Sequence, residues 1–178
     1  MNKATVKIFI ILIIVFSLSA CSRSLIQNYT ADYKSWNLPS NIYDKMNISI
    51  SNPSFMDTGT GYCRGGLPIK IAENITYTKY IADALKEELQ SLDIFDEKSK
   101  NIISIKLMNV FFSSKLHDAN WTIDGQYTYN EKTVEIHTVH EFETPWNAGP
   151  ACKIVSLEFP AAVSRHLKSL MTSKLFQQ

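Results

Sequence analysis

Cysteine is scarce in this 178-residue chain: there are three, and no two have the Cys-x-x-Cys spacing. Without that spacing, and without clustering of the four histidines, the sequence suggests neither a structural zinc site nor a dithiol redox centre. No apolar run approaches the length of about 20 residues that a membrane-spanning helix needs. The longest, Ile8 to Phe16, is far shorter. Neither sign of charge prevails, with 18 Lys and Arg against 17 Asp and Glu. A polyanion-binding surface needs a basic excess or stripe, so nucleic acid is excluded as an expected partner. Glycine is thinly spread too. Four of the six fall between Gly59 and Gly66, where they invite a phosphate-loop reading. That loop lacks the Gly-Lys-Ser/Thr ending and does not lead straight into a helix, so a plain loop is expected. Internal repeats and low-complexity tracts are absent.

What is present is most specific at the N-terminus. Lys3 and Lys7 precede the apolar run, which ends in Ser17-Leu18-Ser19-Ala20-Cys21. A positive start, a short apolar stretch and small residues before a cleavage point are the parts of a secretory signal. Leu18-Ser19-Ala20-Cys21 closely resembles the lipobox of bacterial lipoproteins. The resemblance implies a thioether from Cys21 to diacylglycerol, cleavage before Cys21, and acylation of the new amine. Two or more acyl chains, palmitate among them, anchor stably where one binds only marginally. Position 22 is Ser, and the absence of Asp there resembles the outer-membrane class of that family. The expected address is the periplasmic face of the outer membrane.

Residues 1–20 are therefore read as signal, 21–44 as a lipid-anchored tether and 45–178 as one periplasmic domain. Lys3 and Lys7 leave with the signal, which leaves 16 basic against 17 acidic side chains. Cys63 and Cys152 remain once Cys21 carries lipid. Two cysteines in an oxidising compartment are expected to form a disulfide. Closing a loop of about 90 residues is worth roughly 4–5 kcal/mol in the chain-entropy model. The alternatives for these two are a reactive thiol or a metal ligand.

The tether is polar, with scattered Tyr29, Tyr33 and Trp36 ahead of Pro39. Met46, Ile48 and Ile50 alternate as in a half-buried strand, and a glycine-rich loop closed by Pro68 follows. Tyr77, Ile81, Leu85, Leu89 and Leu92 lie on one helical stripe, with Asn74 or Thr76 as cap. Residues 102–112 are nearly apolar on both faces, which suits a central strand. Residues 120–129 and 133–142 alternate, and their tight link predicts an antiparallel hairpin. A last helix is predicted over 151–173, with Pro160 kinking or delaying it. The fold class is α+β in the order β-α-β-β-β-α: an antiparallel sheet of about four strands with two helices on one face. A Cys63–Cys152 bond would pin the two helical starts side by side.

Candidate chemistry is sparse. His137 and His140 look like a metal pair, but an odd separation on a strand puts them on opposite faces. Glu135, Glu141 and Glu143 share a face with His137 and read as solubility and edge protection rather than acid–base groups. His117 falls in a loop and His166 on the last helix. A Cys-His nucleophile pair could only be built from Cys63 or Cys152 with His140 or His166. The candidate binding surface comprises Arg64, as an anion contact, with Trp121, Tyr127 and Tyr129 on one strand face and Trp146 in the loop before the last helix. The bland alternative for the aromatics is core packing. No catalytic set, metal site or cofactor is expected.

The pairs Cys63-Arg64, Tyr80-Ile81, Ala84-Leu85, Glu88-Leu89 and Ala151-Cys152 resemble those of a group of small uncharacterised Gram-negative lipoproteins. That likeness covers most of residues 60–170 and brings no activity with it. The element order is similar to that of the lipopolysaccharide-assembly lipoprotein and related periplasmic accessory lipoproteins, an analogy of fold alone. The expected function is a non-enzymatic accessory lipoprotein that binds an envelope protein partner. The alternatives are a small-ligand or lipid-binding domain using the aromatic sheet, and a cysteine-dependent hydrolase.

Overall fold

The computed structural model describes residues 24–32, 34, 36, 44–72 and 74–176. The expected signal, Cys21 and Ser22 lie outside these residues. Among the described residues, nine strands and α-helices run in chain order: β1 Ser24–Leu25, β2 Asn47–Ile50, β3 Thr60–Tyr62, β4 Pro68–Lys70, α1 Tyr77–Ser91, β5 Ile102–Lys115, β6 Asp118–Tyr129, β7 Lys132–Phe142 and α2 Ala148–Met171. The expected α+β class holds, with both helices packed on the main sheet.

β5, β6 and β7 form an antiparallel meander. The link from β6 to β7 is Asn130-Glu131, both at positive φ, 48° and 63°. Two consecutive left-handed residues match the twist of a two-residue hairpin, and Asn tolerates that conformation well. β6 turns Ala119, Trp121, Ile123, Gly125 and Tyr127 inward, as its alternation predicts.

β5 is less regular. Ile103, Ile105 and Leu107 are buried, then the pairing to β6 slips between Leu107 and Asn109. One extra residue, Met108, occupies the bulge. Side-chain parity inverts beyond it, so Val110, Phe112 and Ser114 now point inward. The run apolar on both faces is thus two half-buried stretches of opposite parity.

β2 corrects the expectation of a wholly antiparallel sheet. It pairs parallel to β5, Ile48 opposite Ile103, giving the order β2-β5-β6-β7. α1 is the crossover that a parallel pair needs. Tyr77, Tyr80, Ile81, Ala84, Leu85, Glu88 and Leu89 form its buried stripe. Thr76 caps it by accepting from the Lys79 amide at 3.1 Å. Asp57, twenty residues upstream, accepts from the amides of Tyr77 (2.7 Å) and Thr78 (2.8 Å). A carboxylate on otherwise unpaired amides at the positive helix end is stabilising. Asp57→Ala is expected to cost about 1–2 kcal/mol in a urea melt, with α1 exchanging its amide hydrogens faster.

The glycine-rich stretch is not a plain loop. β3 and β4 form a hairpin across a turn at Arg64–Gly66, and β1 adds to β4 in parallel. The ring of Phe112 lies against Gly61, where a β-carbon would sit 2.3 Å from it. That close approach seats the small sheet on the end of the meander and leaves no room for a larger residue.

The expected tether is also, in its described part, packed on the domain. The Ile26 amide donates to the Lys70 carbonyl at 2.9 Å, and Tyr80 donates its hydroxyl to the Gln27 carbonyl at 2.7 Å. Ile26, Tyr29 and Trp36 all belong to the core. The last helix begins three residues earlier than predicted and runs unbroken through Pro160. An interior proline costs about 3 kcal/mol. Full burial of Val155, Phe159 and Leu167, at about 1.5–3 kcal/mol each, offsets that.

Candidate functional site

Cys63 and Cys152 are joined in a disulfide, as expected, with Cα atoms 5.8 Å apart. The bond links the small sheet to the first turns of α2. It takes both sulfurs from any Cys-His pair, so the nucleophile considered for a hydrolase has no thiol here. Beside it, Arg64, offered as an anion contact, has partners within the chain. Its guanidinium donates to the Thr144 hydroxyl at 3.2 Å and to the Pro145 carbonyl. Its amide donates to the Ser114 hydroxyl at 3.0 Å. Arg64 therefore ties its own turn to the loop before α2 and to the end of β5.

The aromatic candidates separate sharply. Trp121 and Tyr127 are fully buried beneath the helices, so neither offers a surface to a partner or ligand. The indole N–H of Trp121 donates to the Val155 carbonyl at 2.8 Å. Its ring meets Phe159 and Phe112 at centroid distances of 4.5 and 4.7 Å. Tyr129 is half-buried against Phe176, 5.7 Å between ring centroids. Trp146 alone of the set is open, at 79% exposure. Sequence reasoning missed its neighbour in kind, Tyr62, which is 75% exposed. Its place beside Cys63 in a glycine-rich stretch carried no periodic signal.

The histidines divide as the strand period predicts. His137 faces away from the helices and pairs with Asp124 at 2.5 Å. His140 faces α2 and pairs with Glu158 at 2.8 Å. Glu135 and Glu141 are exposed on the His137 side. Among the described residues no group of three or more His, Cys, Asp or Glu is placed to hold a metal ion.

Two buried polar clusters were not foreseen. In one, His166 is bracketed by the Tyr127 hydroxyl at Nε2 (2.7 Å) and the Thr138 hydroxyl at Nδ1 (2.9 Å). Gly125 makes room for it: a β-carbon there would lie 2.8 Å from the Tyr127 ring and 3.1 Å from His166 Nε2. Burial pushes the His166 imidazole down to about 3 and the Tyr127 phenol up. His166 is thus a neutral structural bridge. The unfolded chain takes up a proton at this imidazole near pH 6.5, and the folded chain refuses it until about pH 3. Stability should therefore fall as pH drops through that window, by roughly 1 kcal/mol per unit from this group. Urea melts from pH 7 to 4 check this. His166→Gln should flatten the slope, and an unchanged slope would contradict the assignment.

In the other cluster, buried Glu88 accepts from the Tyr29 hydroxyl (2.5 Å) and the Asp32 amide (2.8 Å). Burial, then the Glu88 bond, raises the Tyr29 phenol. Glu88 thereby fixes the N-terminal segment across α1. Between that segment and α2 runs an open groove of about 590 Å³, lined in part by Tyr29, Leu157, Pro160, Ala161, Arg165 and Lys168. Its lining mixes apolar side chains with Arg165, Lys168, Asp32 and His140.

No family model matches the sequence, and no curated protein matches it. Among solved structures, a Xanthomonas campestris protein of the DUF330 family is similar at a TM-score of 0.56 and 10% identity, over 85% of this chain and 93% of that one. A second, an uncharacterised protein, reaches a TM-score of 0.42 at 8% identity, over 82% of this chain and 99% of that one, and supports no argument. At such identity the first likeness shows one thing, that this chain has the fold of the Xanthomonas DUF330 protein.

Proposed function

We propose that this protein is a lipid-anchored accessory protein of the bacterial envelope, acting by binding an envelope protein and catalysing no reaction. The observation that carries the reading is the Cys63–Cys152 bond. It fits an oxidising compartment and takes up both cysteines other than Cys21. The cysteine in the lipobox-like setting is then the one left for acylation. The outer-membrane address rests on Ser22. Intact mass of protein purified from envelopes should show diacylglyceryl and acyl additions that Cys21→Ser abolishes. Crosslinked envelopes should then yield one stoichiometric protein partner. An acylated protein that repeatedly returns none would overturn the partner reading.

The groove beside α2 favours a second reading, a small amphiphilic ligand held against Leu157, Pro160 and Ala161 with its charge at Arg165 and Lys168. Native mass spectrometry of the envelope-purified protein tests it. Ligand-free protein throughout would dismiss it.

A further inference from the structure

The anchor leaves the domain at a defined place. β1 starts at Ser24, opposite Ile69, and runs parallel to β4. The chain therefore reaches β1 from the Pro68 end of that strand. Pro68 is in turn paired with Tyr62. Adjacent strands lie about 4.8 Å apart, so Tyr62 is two strand spacings, about 10 Å, from the point where the chain arrives. Cys21 is three residues before Ser24, and three residues span at most about 11 Å. Acyl chains on Cys21 would thus hold this end of the domain at the bilayer.

The surface at this end suits that position. Tyr62 and Trp146 are 75% and 79% exposed. They are held on one platform, because Arg64 bonds the carbonyl preceding Trp146 and Cys63, next to Tyr62, is bonded to α2. Residues 58–69 and 144–152 contain a single charged side chain, Arg64, already engaged with Thr144 and Pro145. The first charges beyond Trp146 on either side are Glu143 and Lys153. Lys115, whose carbonyl accepts from Thr144, borders this rim. Exposed Trp and Tyr with few charges beside them are the side chains that settle at the headgroup level of a bilayer.

We propose that Tyr62 and Trp146 rest in the headgroup region of the membrane that anchors Cys21, fixing the domain's orientation with its small sheet down. This rests on the acylation of Cys21 proposed above. It places the β6–β7 turn and the C-terminal end of α2, joined where Tyr129 packs on Phe176, away from the membrane, where a partner can reach them.

The test uses mature acylated protein in phosphatidylethanolamine–phosphatidylglycerol vesicles, with and without lipids brominated near the headgroup. Intact mass first establishes the acyl groups; an unmodified Cys21 would overturn the lipoprotein reading before any fluorescence is measured. Trp36 and Trp121 are 2% and 0% exposed, so the difference between wild type and W146F reports Trp146. Brominated lipid is expected to reduce that difference roughly twofold or more. A tryptophan introduced at position 62 in the W146F protein (Tyr62→Trp) should be quenched likewise. Acylated protein whose Trp146 emission ignores brominated lipid would overturn the proposal. If iodide is then also excluded, the covering body is a protein or a second copy, and the proposal fails in that case too.

Discussion

Replacing Cys63 and Cys152 together by alanine is expected to cost about 4–5 kcal/mol of unfolding free energy. The sulfurs are 89 positions apart, and the loop they close contains α1 and the whole meander. In the unfolded chain that closure removes a large share of conformational freedom. In the folded chain the Cα atoms already lie within bonding range. A loss of this size lowers the melting temperature of a domain of this length by roughly 10–20 °C. Thermal and urea melts of the oxidised protein against the double variant read it directly. Reduced wild type should melt with the variant. A difference under about 1 kcal/mol would mean that the unfolded chain already holds these segments together.

Trp121→Ala is the second large effect, at about 3–5 kcal/mol. Its indole sits where β6, β5, α1 and α2 meet. Phe159, Phe112 and Tyr77 surround the ring, and its N–H bonds the Val155 carbonyl. Removing it opens a cavity lined by rigid rings that cannot collapse to fill it. Trp121→Phe keeps most of the packing and loses the hydrogen bond, for about 1–2 kcal/mol. The pair of variants separates two roles that the sequence left open. A binding tryptophan on the surface would lose affinity with little change in a urea melt. A core tryptophan loses stability in both variants, in the order of atoms removed.

The elements with a sustained period were legible. α1, β6 and β7 appear within two residues of their predicted bounds, because each buries one face along its whole length. The disulfide was legible from compartment and count. Three features were not. The Met108 bulge disguised a half-buried strand as a two-faced one, since parity is a long-range property of pairing. The direction of β2 depends on α1 lying between it and β5, and a four-residue apolar alternation carries no direction. Segment 24–32 shows no period because it is held by scattered groups: Ile26 and Tyr29 in the core, and backbone bonds at Ile26, Gln27 and Asp32. The partner of Tyr29 and Asp32, Glu88, is a buried carboxylate that the apolar periodicity of α1 does not mark. In the candidate site the same limit applied. Trp121 and Trp146 are indistinguishable as letters, and only the layer of helices over β6 separates the core residue from the exposed one.

The two-residue Asn130-Glu131 turn sets the order in which this domain can close. Bringing β6 to β7 costs almost no loop entropy, and the β5–β6 link is equally short. The β3–β4 hairpin is local too, but the closures that join these pieces span far more chain: Ile48 to Ile103, Tyr29 to Glu88, Cys63 to Cys152. Such closures are slow unless a template already exists. The meander is that template, and it is made after Cys63 and before Cys152. Cys63 has no partner within the chain until the meander and α2 are in place to present Cys152. Any other thiol that meets it in that interval competes for it, so the chain is most open to mispairing before the β6–β7 hairpin has formed.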